Sequence, residues 1–409
     1  MKRLFVIPKF AHWQLRCNLI VLTWLLVFFL NGPASFLYAQ QPDYQTTGHL
    51  YELPVWYKKL KERQTFPLSW THAGGKDFES WKQIACAKVK ECMMTVPPVV
   101  PFDAVVIAEE DRGTYVARKI SFNVTGDSRV LALMLIPKSA GNHPAVLLLH
   151  DHGAKFDIGK EKVIRSFGLS AVKKKSADNW VKKNYGGRYI GDELAKKGYV
   201  CMSVDMLNWS DRSGTEDAYE SQQALAANFL NLGASSAGLI AYEDMRAADF
   251  LAQQKEVDST HIAAMGLSLG GYRTWQLAAL SPHIAAGISV CWMSTYGGLM
   301  VPGNNQTRGQ SAYCMLHPGL AQFLDYPDVA SIACPKPMMF CNGNIDHLFP
   351  IESIKDAYAK MRIVWHSQNA DDKLVTKLYN APHEFNVTMQ KDAFAWLDST
   401  FKKESTLGK

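Results

Sequence analysis

The stretch Gly266-Leu267-Ser268-Leu269-Gly270-Gly271 decides the fold of this chain. It follows a short apolar run at residues 261–265 and precedes a run with helical character at residues 272–280. A strand, a Gly-x-Ser-x-Gly turn and a helix, in that order, are the setting of a nucleophile elbow, where the serine occupies a tight, strained turn. The stretch therefore predicts that the Ser268 hydroxyl stands clear of a sheet, beside the amide of Leu269 at the start of a helix.

The N-terminus has the pattern of a secretory signal. Four basic residues precede or flank an apolar core at residues 19–30, and Leu37-Tyr38-Ala39 offers small residues for cleavage. The core is too short to span a bilayer comfortably, so we expect residues 1–39 to be a signal peptide that is removed. The mature protein is then periplasmic or secreted, with no stable membrane anchor. An uncleaved N-terminal anchor is the alternative.

The net charge and the cysteine pattern give no support for a nucleic-acid-binding site or a zinc site. The formal net charge of +6 falls to +2 without the signal segment, which gives no support for nucleic-acid binding. No C-x-x-C pair or His/Cys cluster suggests zinc, and we expect neither a metal nor a cofactor. Cys86 and Cys92 could pair in an oxidising compartment, but a spacing of six within one helix-like segment points their side chains apart.

Two regions with different patterns follow the signal. Residues 40–110 show helical periodicity and end in a proline-rich stretch, which predicts an N-terminal helical extension. From residue 111 to residue 409, strands alternate with helices. This alternation predicts a domain with a mostly parallel central sheet and helices on both faces.

The expected elements follow from apolar runs and helical spacing. The predicted strands lie at residues 114–123, 129–136, 145–150, 199–205, 261–266, 286–292, 337–341 and 374–379. The predicted helices lie at residues 51–63, 78–93, 188–197, 234–255, 271–280, 351–368 and 389–402. The first two strands are expected to form a hairpin.

A serine nucleophile needs a base within hydrogen-bond reach and an acid that orients the base. In an open parallel sheet these groups come from loops at the carboxyl ends of the strands. His383 closely follows the last predicted strand, and Asp346 follows the strand before it. The order Ser268, Asp346, His383 is that of hydrolases with a nucleophile elbow. His347 is a rival base, and Asp205 is a second candidate for the acid.

The loop His150-Asp151-His152-Gly153 follows another predicted strand. We expect a backbone amide of Asp151 or His152 to complete an oxyanion hole together with the amide of Leu269. The two imidazoles could instead resemble a metal cluster, but the chain lacks an H-E-x-x-H pattern on a helix. Loop packing is therefore the preferred interpretation of their side chains.

From about residue 115 to residue 402 the chain resembles the α/β-hydrolases, in particular their dienelactone-hydrolase and acetyl-xylan-esterase-like branch. The stretch from Gly266 to Arg273, the stretch Val290-Cys291-Trp292-Met293 and the His150–Gly153 loop carry the likeness. They are similar to motifs of secreted esterase-like proteins from bacterial glycan-uptake systems. The resemblance implies hydrolysis, through Ser268, of acetyl esters or uronic-acid methyl esters on plant cell-wall polysaccharides.

Two features bear on the substrate. Residues 155–188 hold ten basic and three acidic residues directly after the oxyanion strand, and a basic rim would concentrate an anionic glycan. A solvated loop is the alternative. Trp209 and Trp292 follow strands and are candidates for stacking on sugar rings, with core packing as the alternative for Trp292. Arg273 is a candidate for supporting the pocket, or forms a buried ion pair.

Two other functions remain in view. A serine peptidase can share this fold and this order of residues, although no propeller-like repeat precedes the hydrolase region. A catalytically silent glycan-binding protein is the third possibility. It would have no need of the spaced set Ser268, Asp346 and His383.

Overall fold

The computed structural model describes residues 49–401 except 51–52, 76, 215–217, 302–303 and 306–309. The chain divides between Lys58 and Lys59, and the described residues from Lys59 onward belong to one compact unit. The predicted signal peptide, residues 1–39, lies outside the described residues. None of the described helices combines the length and the apolar character that a membrane span requires.

Nine strands form the central sheet. They are β1 (Val105–Asp111), β2 (Tyr115–Asn123), β3 (Arg129–Pro137), β4 (His143–Leu149), β5 (Val200–Ser203), β6 (Val257–Leu267), β7 (Ala286–Val290), β8 (Met338–Gly343) and β9 (Leu374–Tyr379). Their spatial order is β9-β8-β7-β6-β4-β5-β3-β2-β1. Strands β4 to β9 pair in parallel, whereas β1, β2 and β3 add an antiparallel edge. The predicted mostly parallel sheet is thereby confirmed.

Helices alternate with these strands. They are α1 (Val55–Glu62), α2 (Phe78–Cys92), α3 (Ala171–Asn184), α4 (Ile190–Lys196), α5 (Ala218–Asn231), α6 (Ser236–Ala252), α7 (Leu269–Leu280), α8 (Tyr296–Leu299), α9 (Tyr326–Ser331), α10 (Ile351–Ser367) and α11 (Val387–Phe401). Successive residues of a strand point to opposite faces, so β4 serves two cores. Leu147 and Leu149 pack with side chains of α6 and α7, whereas Val146 and Leu148 pack with side chains of α4 and α11. Helices therefore cover both faces of the sheet.

The predicted hairpin is present, because β2 pairs with β3 from Asn123↔Arg129 to Tyr115↔Pro137. Five of these elements were not predicted, namely strand β1 and helices α3, α5, α8 and α9. Strand β1 is an edge strand whose residues 105–107 are all exposed, so its apolar residues do not alternate. Helix α3 is rich in lysine and buries few side chains.

The predicted boundary at residue 110 is not a boundary between compact units. Strand β1 is part of the central sheet, and α2 buries Phe78, Trp81 and Val89 in the same core as α6 and α7. Most of the predicted extension therefore belongs to the unit that begins at Lys59. Cys86 and Cys92 on α2 are both free thiols.

His317 gives the fold a pH dependence. Its imidazole is buried and its Nε2 lies 3.2 Å from Oε1 of Gln276. Burial lowers the pKa of His317 to about 4, whereas an unfolded histidine has a pKa of about 6.5. The unfolded chain thus takes up the proton first, and the free energy of unfolding falls as the pH decreases from about 6.5 towards about 4.

We expect His317→Gln to flatten this dependence, by up to about 3 kcal/mol over the whole window. Urea unfolding at pH 5.0 and pH 7.5 measures the difference. The control is His366→Gln, because the side chain of His366 is exposed. An unchanged difference between the two pH values in His317→Gln would contradict the assignment.

Candidate active site

Ser268 occupies the turn between β6 and α7. Its backbone dihedrals are φ 57° and ψ −125°, a region that residues other than glycine rarely adopt. Two hydrogen bonds hold it there: its N–H donates to the carbonyl of Val290 at 2.8 Å, and its carbonyl accepts from the N–H of Tyr272 at 3.0 Å. The strained turn leaves Ser268 partly exposed where the sheet ends. This is the conformation that a nucleophile elbow requires.

The glycines beside Ser268 allow a close approach to the neighbouring strand β4. A Cβ atom on Gly270 would lie 1.9 Å from the carbonyl oxygen of Leu149, and one on Gly266 would lie 2.5 Å from the same oxygen. Both distances are too short for any side chain. The elbow therefore packs directly against the end of β4, where the His150–Gly153 loop begins.

The structure brings Asp346 and His383 together. Asp346 follows β8, His383 follows β9, and His383 Nδ1 lies 2.6 Å from Asp346 Oδ2. The other carboxylate oxygen of Asp346 accepts from the N–H of Leu348 at 2.9 Å. Asp346 is buried, whereas the side chain of His383 is 24% exposed. With Nδ1 engaged by the carboxylate, Nε2 is the nitrogen that remains for a serine proton.

The alternative base, His347, and the alternative acid, Asp205, differ in their surroundings from the Asp346–His383 pair. His347 is exposed, and it is not among the described residues that line the cavity next to Ser268. Asp205 is buried in an ion pair with Lys160, at 2.5 Å between Nζ and Oδ2. Of the two histidines considered as the base, His383 is therefore the one that lines a cavity with Ser268 and contacts Asp346.

That cavity has a volume of about 300 Å³. Its described lining residues are Asp151, His152, Gly153, Ala154, Trp180, Asn184, Leu267, Ser268, Ser311, Leu348 and His383. No lysine or arginine occurs among them. The wall next to the candidate nucleophile is thus a mixture of apolar and uncharged polar groups, with one carboxylate and two imidazoles.

Both imidazoles of the His150–Gly153 loop form hydrogen bonds with backbone groups. His150 Nδ1 donates to the carbonyl of Asp151 at 2.9 Å, and Nε2 accepts from the N–H of Met206 at 3.1 Å. His152 Nδ1 accepts from the N–H of Ala154 at 3.0 Å. Burial lowers the pKa of His150 well below its ordinary value and that of His152 to about 4, so both rings are neutral near pH 7. Their contacts agree with the loop-packing interpretation.

Trp209 and Trp292 are not among the described residues that line the cavity, which corrects their predicted stacking on sugar rings, and Arg273 is not among those residues either. Trp209 is buried, and its Nε1 donates to the carbonyl of His152 at 3.3 Å. Trp292 is buried in an aromatic cluster, with its ring centroid 4.8 Å from that of Tyr272. Arg273 is buried in an ion pair with an aspartate of α6. Trp292 thus packs in the core, which is the alternative stated for it, and Arg273 forms the buried ion pair.

Sequence reasoning missed the aromatic and amide groups that do line the cavity. Trp180 and Asn184 lie on α3, which is part of the basic segment 155–188. Trp180 Nε1 also donates to Asp151 Oδ2 at 3.1 Å, so the indole is fixed against the loop after β4. The sequence signal that could have identified Trp180 was its position as an aromatic residue in the segment 155–188, which follows strand β4.

The predicted basic rim is corrected in part. The side chains of Lys160 and Lys162 are 1% and 0% exposed. Lys160 Nζ lies 2.5 Å from carboxylate oxygens of both Asp205 and Asp211. The exposed lysines of α3 are Lys174, Lys175, Lys182 and Lys183. A share of the positive charge in this segment thus neutralises buried carboxylates instead of facing solvent.

Comparison with known proteins agrees with this architecture. A family model described as the Abhydrolase family matches residues 52–394. A protein of Bacillus subtilis (strain 168) named "Putative hydrolase YtaP" is 25% identical over 278 residues, which cover 68% of this chain and 85% of that protein.

Two solved structures have a similar fold. A "putative acetyl xylan esterase" of Bacteroides fragilis is 18% identical with a TM-score of 0.61, covering 79% of this chain and 81% of the other. A glucuronoyl esterase from Solibacter usitatus is 13% identical with a TM-score of 0.60, covering 80% of this chain and 94% of the other. At these identities the likeness is one of fold.

Proposed function

The chain belongs to the Abhydrolase family, and on that premise we propose that it is a serine carboxyl-ester hydrolase. Its substrates are ester-decorated plant cell-wall polysaccharides or their oligosaccharides. One observation carries the proposal: a strained serine at the end of β6 shares a cavity with the imidazole of His383, which is paired with the buried Asp346. The targeting pattern of residues 1–39 supports action in the periplasm or outside the cell.

The reaction follows from the roles of these groups. Ser268 Oγ attacks the ester carbonyl carbon while His383 Nε2 takes the hydroxyl proton. Asp346 holds the imidazole through Nδ1 and stabilises the imidazolium that forms. The carbonyl oxygen becomes negative and is stabilised by the amides of Leu269 and of Asp151 or His152. His383 then protonates the leaving alcohol, and water releases the acid from the acyl-enzyme.

The cavity supports an acetyl ester on a neutral sugar over a methyl ester on a uronic acid. A pocket of this size suits a small group, and its described lining includes Trp180, Asn184, Ser311 and Leu348 but no lysine or arginine. The two esterases described above are named for acetyl xylan and for glucuronoyl esters, so their names do not choose between the two candidates. Uronate methyl esters are the second candidate, because the exposed lysines of α3 could attract the free carboxylates of a pectic chain.

Product analysis tests the proposal and separates the two substrates. We expect the purified protein to release acetate from acetylated xylan, and Ser268→Ala to release none above background. We also expect kcat/KM to change little with salt, because no described cationic side chain lines the cavity.

Each other outcome points to a different function. Release of methanol from methyl-esterified pectin fragments, with kcat/KM falling steeply as salt rises, would replace the deacetylase with a uronate methylesterase. Release of neither product would overturn the esterase proposal and bring forward a serine peptidase or a glycan-binding protein.

A further inference from the structure

Three successive peptide carbonyls of the loop after β4 point at buried cations. Arg273 donates from a terminal nitrogen to the carbonyl of His150 at 3.2 Å. Lys162 Nζ donates to the carbonyls of Asp151 and His152, both at 2.9 Å. In a trans peptide the N–H points away from the preceding carbonyl. The amides of residues 151, 152 and 153 are therefore turned away from the two cations.

The two cations are themselves held firmly. Arg273, on α7 after the elbow, makes two hydrogen bonds to the carboxylate of Asp244, at 2.5 and 2.8 Å. Lys162 Nζ lies against the face of Trp180, 5.0 Å from the ring centroid. The same atom is 3.3 Å from Asp151 Oδ1. The ammonium group of Lys162 is fully buried. Burying a lysine costs free energy unless it is paired and hydrogen-bonded, and here its bonds go to the carbonyls of this loop.

We propose that Lys162 and Arg273 are positioning residues that set the oxyanion hole. By holding the carbonyls of residues 150 to 152 behind the loop, they direct its amides towards the oxygen of a bound ester. This inference rests on the proposed esterase reaction. It assigns a function to Lys162, a buried lysine of the basic segment. No step of the proposed reaction uses this lysine directly.

The cations also favour the transition state over the substrate. A positive charge on a carbonyl oxygen polarises the peptide group, so the N–H of the same peptide becomes a stronger donor. A negative oxygen gains more from such donors than a neutral carbonyl does. Loss of the cation therefore lowers kcat more than it changes KM.

Lys162→Met is the direct test, since methionine has a similar length but no charge and no donor. We expect kcat on an acetyl ester to fall about 100-fold and KM to stay within about two-fold. The matched control is Lys173→Met. Lys173 belongs to the same segment and pairs with Glu161 and Asp211, but none of its described contacts is with a carbonyl of the loop. Its kcat is expected to stay within about three-fold of the wild type.

A second readout separates positioning from general damage. Trifluoroacetone accepts Ser268 Oγ at its carbonyl carbon, the serine proton passes to His383, and the ketone oxygen becomes an oxyanion. We expect Lys162→Met to weaken its inhibition by the same factor as it lowers kcat, and Lys173→Met to leave it unchanged. Equal losses in both variants, or a change in KM alone, would overturn the proposal.

If Lys162→Met does not fold, Arg273→Lys is the alternative test. A lysine there keeps one cation for Asp244, but it lacks the planar guanidinium, whose separate nitrogens reach both the carboxylate and the carbonyl of His150. We expect kcat to fall about ten-fold, with a matching loss of inhibition by trifluoroacetone. Unchanged kcat would overturn the proposal. A folded wild type that neither hydrolyses acetyl esters nor binds trifluoroacetone would instead refute the esterase function itself.

Discussion

Ser268→Ala is expected to lower kcat by about three or more orders of magnitude while the protein remains folded. The hydroxyl oxygen is the only non-hydrogen atom removed, and the Asp346–His383 hydrogen bond does not depend on it. Alanine has the same Cβ atom as serine, so the strained turn at φ 57° costs it no more than it costs serine. The loss should therefore appear in the rate and not in the melting temperature.

Ser311→Ala is the matched control for this prediction. Ser311 lines the same cavity but has no imidazole base assigned to it. We expect its kcat/KM to stay within about ten-fold of the wild type. Acetate release and thermal unfolding of the three proteins would be measured side by side. Retention of substantial activity by Ser268→Ala, or equal losses in both variants, would remove Ser268 from the role of nucleophile.

Lys160→Met is expected to cause the largest loss of stability, about 3–5 kcal/mol in the free energy of unfolding. Lys160 is the ammonium group at the centre of a cluster of three carboxylates, those of Asp205, Glu161 and Asp211. Asp205 and Glu161 are almost fully buried. Burial opposes ionisation of Lys160, yet the surrounding carboxylates raise its pKa overall. Removing it leaves buried negative charges without their main partner.

The loss in Lys160→Met should depend on pH with a definite sign. Burial already raises the pKa of Asp205, and Lys160 opposes that shift. Without Lys160, the pKa of this carboxyl in the folded protein lies further above its value in the unfolded chain. The folded state then binds the proton more tightly, so stability is lost as the pH rises through the raised pKa. We expect a smaller deficit at pH 5 than at pH 8.

Urea unfolding at both pH values measures this deficit. Lys173→Met is the control, because the side chain of Lys173 is 21% exposed and its ion pairs are partly solvated. Its loss should stay below about 1 kcal/mol. Adding Asp205→Asn to Lys160→Met should recover part of the stability at pH 8. Wild-type stability of Lys160→Met at pH 8 would contradict this account of the cluster.

Much of the fold was predictable because its signals are local. A buried parallel strand is a continuous apolar run, and the run that ends at Leu149 shows this in the sequence alone. The elbow is equally local, since it needs a strand, two glycines and a helix within a few residues. Strand β1 and helix α3 were missed because exposed edge strands and lysine-rich helices bury too few side chains to show a period.

The candidate acid and base were predictable through topology. The carboxyl ends of parallel strands meet at one edge of the sheet, so a residue just after β8 and another just after β9 had to lie near Ser268. The hydrogen bond between His383 and Asp346 joins residues 37 apart in the chain. Which tryptophan lines the cavity was not predictable in this way, because Trp180, Trp209 and Trp292 all follow or flank elements of the site.

The sequence by itself determined the alternation of strands and helices, the position of Ser268 in a tight turn between Gly266 and Gly270, and the order of Ser268, Asp346 and His383. The tertiary structure decided which side chains face the cavity and which face the core. Lys160 and Lys162 look like solvated charges in a basic segment, but Asp205 lies 45 residues from Lys160 and Asp151 lies 11 residues from Lys162. A buried charge is stable only where its partners are already assembled. No local pattern can report that assembly, because it forms only when distant segments of the chain pack together.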